Sequence, residues 1–184
     1  MQVQRHGAGI FTISDFLSPQ ECDGFIARSE GRGFVAAGIQ IDGEEQMLKD
    51  VRNNDRVIWD DPALAATLFE RARPLLPAAV DGYRLAGLND RFRYYRYAQT
   101  QRFDWHFDGS VGLPDGRESL LTFMVYLNDD FTGGRTDFGW ESIAPVRGLA
   151  LVFPHHRRHR GAAVTSGHKY VLRSDVMYGK VGSD

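Results

Sequence analysis

Apolar and polar positions change rhythm partway along the chain. In the first 82 residues a helical period appears twice. Cys22, Phe25 and Ile26 share one stripe, and Ala65, Leu68 and Ala72 share another. Each stripe follows a helix start. Ser18 is placed as an N-cap with Pro19 at the first helical position and Glu21 closing a capping box, and Asp61-Pro62 repeats that logic. The spacing predicts a first helix to about Glu30, stopping in the glycines at 31 and 33, and a second ending before Pro74. Ile10 to Ile13 reads as a short strand. Gly38 to Arg56 reads as polar loop with short strands.

From Tyr83 onward the pattern becomes short apolar runs separated by Gly, Asn and Asp. These predict strands at Arg91–Tyr97, Phe103–Asp108, Leu120–Asn128, Thr136–Phe138, Ile143–Pro145, Leu149–Phe153, Ala162–Val164 and Lys169–Tyr178. Many short strands with turns between them suggest an antiparallel sandwich or barrel, of which a double-sheet jelly roll is one form. The expectation is one domain over residues 1–184, mostly β. A helical N-terminal third (about 1–82) would pack on the outside of one sheet.

Charge and cysteine content narrow the function classes. A formal net charge of −2 gives no reason to expect nucleic acid or an anionic membrane as a partner. Cys22 is the only cysteine, which excludes an intramolecular disulfide and cysteine-rich zinc or iron–sulfur sites. No apolar run approaches membrane-spanning length, and the N-terminus lacks a signal peptide's layout, so the cytoplasm is the expected compartment.

The candidate chemistry begins at His106-Phe107-Asp108. On an extended strand, residues two apart share a face, so one imidazole and one carboxylate would aim at a single point. With a second His from elsewhere they make the facial triad that holds Fe(II) and leaves open coordination positions. Alone the pair is weak evidence: six His and 17 Asp in 184 residues supply roughly 0.5 of an H-x-D by chance.

Further residues recur in order: Tyr97, His106-Phe107-Asp108, Tyr126-Leu127-Asn128, Gly133-Gly134-Arg135-Thr136-Asp137-Phe138, Pro145-Val146-Arg147-Gly148, Phe153, His159 and Gly167-His168-Lys169. This series resembles the prolyl 4-hydroxylase-like branch of the Fe(II)- and 2-oxoglutarate-dependent oxygenases, and Ile13 to Glu30 looks like that branch's helical entry. The resemblance implies a double-stranded β-helix core and Fe(II) held by His106, Asp108 and a distal His. It also implies 2-oxoglutarate and O2 as co-substrates, with ascorbate as a possible reductant. The product would be a hydroxylated C–H on an amino-acid, peptidyl or small-molecule substrate, with succinate and CO2 released.

Of the three clustered histidines, His159 fits the family's frame to Val164, Gly167 and Lys169. His155, His156, Arg157 and Arg158 read as a solvated basic loop, and His168 as a surface residue. A dicarboxylate needs a cation for its far end. Lys169 matches the family position, and Arg173, four residues on and on the same strand face, is the alternative. Tyr126 matches a tyrosine that donates to the same carboxylate, and Tyr97 flanks the pocket; for both, core packing is the competing reading.

Thr100 stands where the family often carries a glycine. Gly133-Gly134 reads as a turn beside the site. Gly109 to Glu118 reads as a mobile flap or a long hairpin loop. Arg102, Trp105, Trp140 and Arg147 are candidates for the mouth. Two rival classes remain at this stage, a zinc hydrolase on the same His/Asp/His set and a metal-binding jelly roll without turnover.

Overall fold

The computed structural model describes residues 1–41 and 44–180. Its hub is the Lys169–Lys180 strand. On one side it pairs with Glu118–Tyr126. On the other it pairs with Arg91–Tyr97 along its first half and with Tyr83–Leu88 along its second. This wide antiparallel sheet continues through Ala150–Pro154, Ile10–Ile13 and Val3–Gly7 to one edge, and through Asp55–Asp60 and Val35–Ala36 to the other. A second sheet runs Phe103–His106, His159–Gly161, Thr136–Asp137, Ser142–Ile143. The two sheets form a jelly roll.

Both faces of the wide sheet's central strands are buried, and side-chain alternation decides what each face carries. Phe92, Tyr94, Phe123, Val125 and Leu172 point outward into a core shared with the helices. Their neighbours Tyr95, Tyr97, Met124, Tyr126 and Val171 point inward, into a second core with Phe138 and Ile143 of the smaller sheet. Burial on both faces explains why these strands read as continuous apolar and aromatic runs in the sequence.

The helices α1 (Pro19–Arg32) and α2 (Pro62–Ala72) cover the outer face. The capping box at α1 is present: Glu21 N–H donates to Ser18 Oγ at 3.2 Å, and Ser18 N–H donates to Glu21 Oε2 at 2.8 Å. Arg71 of α2 then donates to both Glu21 oxygens, at 3.0 and 2.7 Å, and to the Phe16 carbonyl at 2.9 Å. One carboxylate therefore caps one helix and ties it to the other. Cys22 is fully buried in the same core.

The first third is less purely helical than expected. Besides the expected strand Ile10–Ile13, Val3–Gly7, Val35–Ala36 and Asp55–Asp60 are strands of the wide sheet, so this third extends the sheet as well as covering it. Tyr83–Leu88 is likewise a strand that the apolar pattern did not single out. Asp108 lies just past the end of its strand, which stops at His106. Residues 109–118 form a hairpin loop, closed by Leu113 N–H to Arg117 O at 2.8 Å and by Ser119 N–H to Val111 O at 2.9 Å. No helix among the described residues is long and apolar enough to cross a membrane.

Thr100 occupies φ 70°, the left-handed region. That is a strained position for a β-branched residue, one that glycine would occupy at no steric cost. Its N–H donates to Val164 O at 2.8 Å, so the turn leading to His106 is pinned despite the strain.

The capping box yields the first prediction. Ser18→Ala should lower unfolding free energy by roughly 0.5–2 kcal/mol in urea titrations. Its Arg71-bound carboxyl has its pKa lowered from 4.5 to about 2, chiefly by the Arg71 hydrogen bond. A depressed acid stabilises above its unfolded pKa, and that contribution fades as pH falls from about 4.5 towards 2. Stability measured across that window should fall less steeply in Arg71→Ala than in the parent.

Candidate active site

Strand register assembles the inner face into rungs. Tyr97 stands opposite Lys169 and Tyr95 opposite Val171. On the other side of the hub strand, Val171 meets Tyr126, Arg173 meets Met124 and Asp175 meets Thr122. Thr122 in turn faces Phe153. Because residues 169, 171 and 173 alternate inward, two cations line one cavity with Tyr95 and Tyr97. Tyr95, Tyr97, His106, Asp108, Thr122, Thr136, His159, Lys169 and Arg173 all border it.

His106 and His159 are brought face to face across paired strands, with their Cα atoms in register. One ligating atom from each, with one from Asp108, lies within 4.8 Å of the others. His106 Nε2 is 3.7 Å from Asp108 Oδ1, and His159 Nε2 is 3.7 Å from Asp108 Oδ2. Each imidazole is oriented by its other nitrogen. His106 Nδ1–H donates to Asp104 O at 2.6 Å, and His159 Nδ1–H donates to Arg157 O at 2.9 Å. Carbonyls only accept, so both Nε2 lone pairs are left facing Asp108. Burial holds both rings neutral at pH 7, with His106 brought down to about 4 and His159 also lowered. Phe103 stacks on His106 with centroids 3.5 Å apart.

Burial would raise the Asp108 carboxyl pKa, but the Arg173 guanidinium, the two imidazoles and Thr122 outweigh it and hold it well below the usual range. Two neutral nitrogens and one carboxylate on one side of a cavity form a donor set suited to a divalent metal with open positions.

Lys169 sits elsewhere in the cavity with no carboxylate in ion-pair range among the described residues. Its Nζ donates to Gly134 O at 2.6 Å and lies 5.2 and 5.3 Å from the ring centroids of Tyr97 and Tyr126. Burial pulls its pKa down to about 7, and Asp137 opposes this. Gly134 makes the approach possible. At φ 63°, a Cβ there would come within 2.8 Å of the Phe131 ring and 3.1 Å of Lys169 Cδ. Tyr126 is fully buried and shares a 2.7 Å hydrogen bond with Thr136.

Arg173 differs from Lys169. Its Nη2 lies 3.2 Å from Asp108 Oδ2 and 3.1 Å from Asp175 Oδ1. Arg93 pairs with Asp175 as well, at 3.2 Å. The guanidinium expected as an alternative anchor thus already has two carboxylates.

His155 overturns the reading of a solvated loop. It is buried, while His156 and Arg158 beside it are exposed. Its Nδ1 and Nε2 lie 3.0 Å from Thr122 Oγ1 and 3.0 Å from Ser119 Oγ. Thr122 donates to Asp108 Oδ2 at 2.5 Å, and the Asp108 N–H donates to His155 O at 3.2 Å. His155 therefore braces Asp108 from behind through both its ring and its backbone. Thr122, Asp175 and Arg93 belong to the same network and were also missed. Asp175 was accessible to the alternation that selected Lys169 and Arg173, since it lies two residues further along the same face.

The mouth candidates separate. Trp105 and Trp140 line a cavity beside the metal ligands. Arg102 is turned away, donating to Asp50 O at 3.0 Å. Arg147 lies by α1, donating to Pro19 O at 2.7 Å and pairing with Asp23, because the long side chain finds the helix entry first. His168 is exposed.

In this jelly roll one cavity holds both the His/Asp/His donor set and a buried lysine, and comparison with known proteins finds similarity to one family. Residues 92–174 match the model of the 2OG-Fe(II) oxygenase superfamily. The chain's similarities lie with the prolyl 4-hydroxylase-like branch. Prolyl 4-hydroxylase 1 of Arabidopsis thaliana is 25% identical over 88% of this chain, which spans 66% of that protein, just under two thirds. A putative prolyl 4-hydroxylase of Acanthamoeba polyphaga mimivirus is 23% identical over 88% of this chain and 71% of its own length. In fold, the chain matches a viral collagen prolyl hydroxylase from Paramecium bursaria Chlorella virus-1, solved with 2-oxoglutarate. The TM-score is 0.67 at 23% identity, over 95% of this chain and 98% of that one.

The brace behind Asp108 is testable. His155→Ala removes the partner of two buried hydroxyls and should cost about 1–3 kcal/mol of stability. His156→Ala, on the surface, should stay within about 0.5 kcal/mol of the parent in the same denaturation series.

Proposed function

We propose that this chain hydroxylates an unactivated C–H of an amino-acid, peptidyl or small-molecule substrate, with His106, Asp108 and His159 holding Fe(II). Lys169 receives the far carboxylate of 2-oxoglutarate. The observation that carries this reading is the buried Lys169 ammonium without a carboxylate of its own among the described residues, in the same cavity as a donor set suited to Fe(II). A zinc hydrolase on the same three ligands gives Lys169 nothing to do. The names of the relatives make peptidyl proline the first substrate to test.

Bound iron with 2-oxoglutarate and O2 supplies the oxidising power, releasing succinate and CO2 as the substrate gains a hydroxyl. The residues of the chain position and shield that chemistry. The carbonyls of Asp104 and Arg157 keep each imidazole proton on Nδ1, so Nε2 stays available to the metal. Thr122 and Arg173 fix the Asp108 carboxylate. Tyr97 and Tyr126 wall the lysine end and exclude water from it, which strengthens its pairing with an anion. Arg173, occupied by Asp108 and Asp175, is a positioning residue in this scheme.

Three measurements bear on it. His159→Ala should abolish succinate formation and weaken Mn(II) binding. Lys169→Ala should raise the 2-oxoglutarate Kd at least tenfold with Mn(II) in place of iron, as when one member of a buried charge pair worth about 2–5 kcal/mol is lost. Mn(II) binding should persist in that variant, and normal 2-oxoglutarate binding would remove Lys169 from the role.

The pH dependence has a definite sign. The free protein releases the Lys169 proton near 7, while the unfolded chain holds it to about 10.5, so this group makes stability rise with pH between those values. An anion at Lys169 requires the proton back. Affinity for 2-oxoglutarate should therefore fall as pH rises above about 7, and Lys169→Arg should flatten that decline.

A further inference from the structure

A second cavity, of about 390 Å³, opens beside the metal ligands and is lined by Trp105, Phe107, Phe138, Trp140, Arg157 and Arg158 among others. Its walls are the immediate neighbours of the ligands. Trp105 and Phe107 flank His106, Arg158 precedes His159, and the Phe138 ring lies 5.8 Å from the His159 ring. Anything seated here is within reach of the metal. The inner cavity has only about 40 Å³ of free space, and the co-substrate would take it. A prime substrate must therefore sit outside it.

Two properties of this bowl describe an occupant. Phe107 and Trp140 are both 61% exposed, and they are the only aromatic side chains among the strongly exposed large hydrophobic residues described. Exposed aromatic area gathered at one place, against the buried Phe138, marks a contact surface. The charge is one-sided: no acidic residue lines the bowl, although the chain as a whole carries −2. Arg158 touches only the Trp105 ring, 5.5 Å from its centroid, and has no acidic partner among the described residues. Arg157 is held by Ala8 O at 2.8 Å, also without a carboxylate. The nearby acids are engaged elsewhere: Asp137 with Arg160 and Ser142, Glu141 with His6 and Ser142 N–H, Asp104 with Trp105 N–H.

We infer that this bowl docks an extended peptide bearing an acidic side chain beside the residue to be hydroxylated. The proposal rests on the hydroxylase reading of the inner site. Trp140, Phe107 and Trp105 grip the apolar part of the peptide, and Arg158, assisted by Arg157, pairs with its carboxylate. An open bowl with rings at its rim suits a chain laid across it better than an enclosed small molecule. The flanking charge then selects among substrates that present the same reacting residue.

The test uses fluorescein-labelled decapeptides with one central proline, identical except for Glu, Gln or Lys in the flanking positions. Anisotropy is read on the protein loaded with Mn(II) and 2-oxoglutarate, and again on metal-free protein. The Glu peptide should bind at least fivefold tighter than the Gln peptide, and the Lys peptide weakest, with the ranking compressed at high salt. Trp140→Ala should weaken all three. Arg158→Glu should invert the order, and since both side chains are exposed, each variant should keep its fold by circular dichroism. Equal binding of the three peptides, no binding of any, or an unchanged ranking in Arg158→Glu would overturn the inference.

The readout separates the two levels. If wild type fails to bind 2-oxoglutarate but ranks the peptides as stated, the hydroxylase reading falls and the docking surface stands. If 2-oxoglutarate binds and the peptides do not discriminate, the reverse holds.

Discussion

Burying the Lys169 ammonium removes it from water, and the described residues return only a carbonyl and two aromatic faces. An ammonium in that position pushes its own proton off, which is why its pKa drifts towards neutrality. A carboxylate brought beside it would restore what burial took away. The inner face is arranged around this imbalance: tyrosines that keep solvent out, a glycine that lets the lysine chain pass, and a metal-ligand set elsewhere in the same cavity.

The end that carries the His/Asp/His set follows the opposite rule, each charge lying in ion-pair range of another. Asp108 meets Arg173, Arg173 meets Asp175, and Asp175 meets Arg93. Behind them His155 joins Ser119 to Thr122, and Thr122 to Asp108. Such a network is tolerated in a buried site only when its members are satisfied together, and it rigidifies the ligand it ends on. One end of the cavity is thus pre-set by its own residues, while the other holds a buried cation with no carboxylate beside it among the described residues.

Much of this was legible in the sequence because it depends on local rules. Helix starts at Ser18 and Asp61 are written in adjacent residues, and both caps formed. The two-residue spacing of His106 and Asp108, and the family frame that singled out His159, named residues that the fold does bring together. What escaped notice depends on distant partners or on pairing alone. His155 sits among arginines, which suggests solvent, yet its hydroxyl partners are 33 and 36 residues away in sequence. Val3–Gly7 has almost no buried face and is a strand only because Ile10–Ile13 lies beside it. Asp108 was placed on a strand that ends two residues earlier, and the side chain is oriented by Thr122 and Arg173 instead.

The alternation along Lys169–Lys180 has a consequence for how this fold can change over generations. Its outward residues, Leu172 and Val176, belong to the core under the helices, and its inward ones, Lys169, Val171 and Arg173, border the site. Replacing an inward side chain leaves the outer core intact, so new chemistry can be tried without rebuilding the scaffold. Inserting one residue would exchange the two sets at once, presenting charge to the helices and leucine to the metal. The strand therefore admits substitution readily and length variation hardly at all. Relatives that diverge in what they act on should still agree in the number of residues between their lysine and the end of this strand.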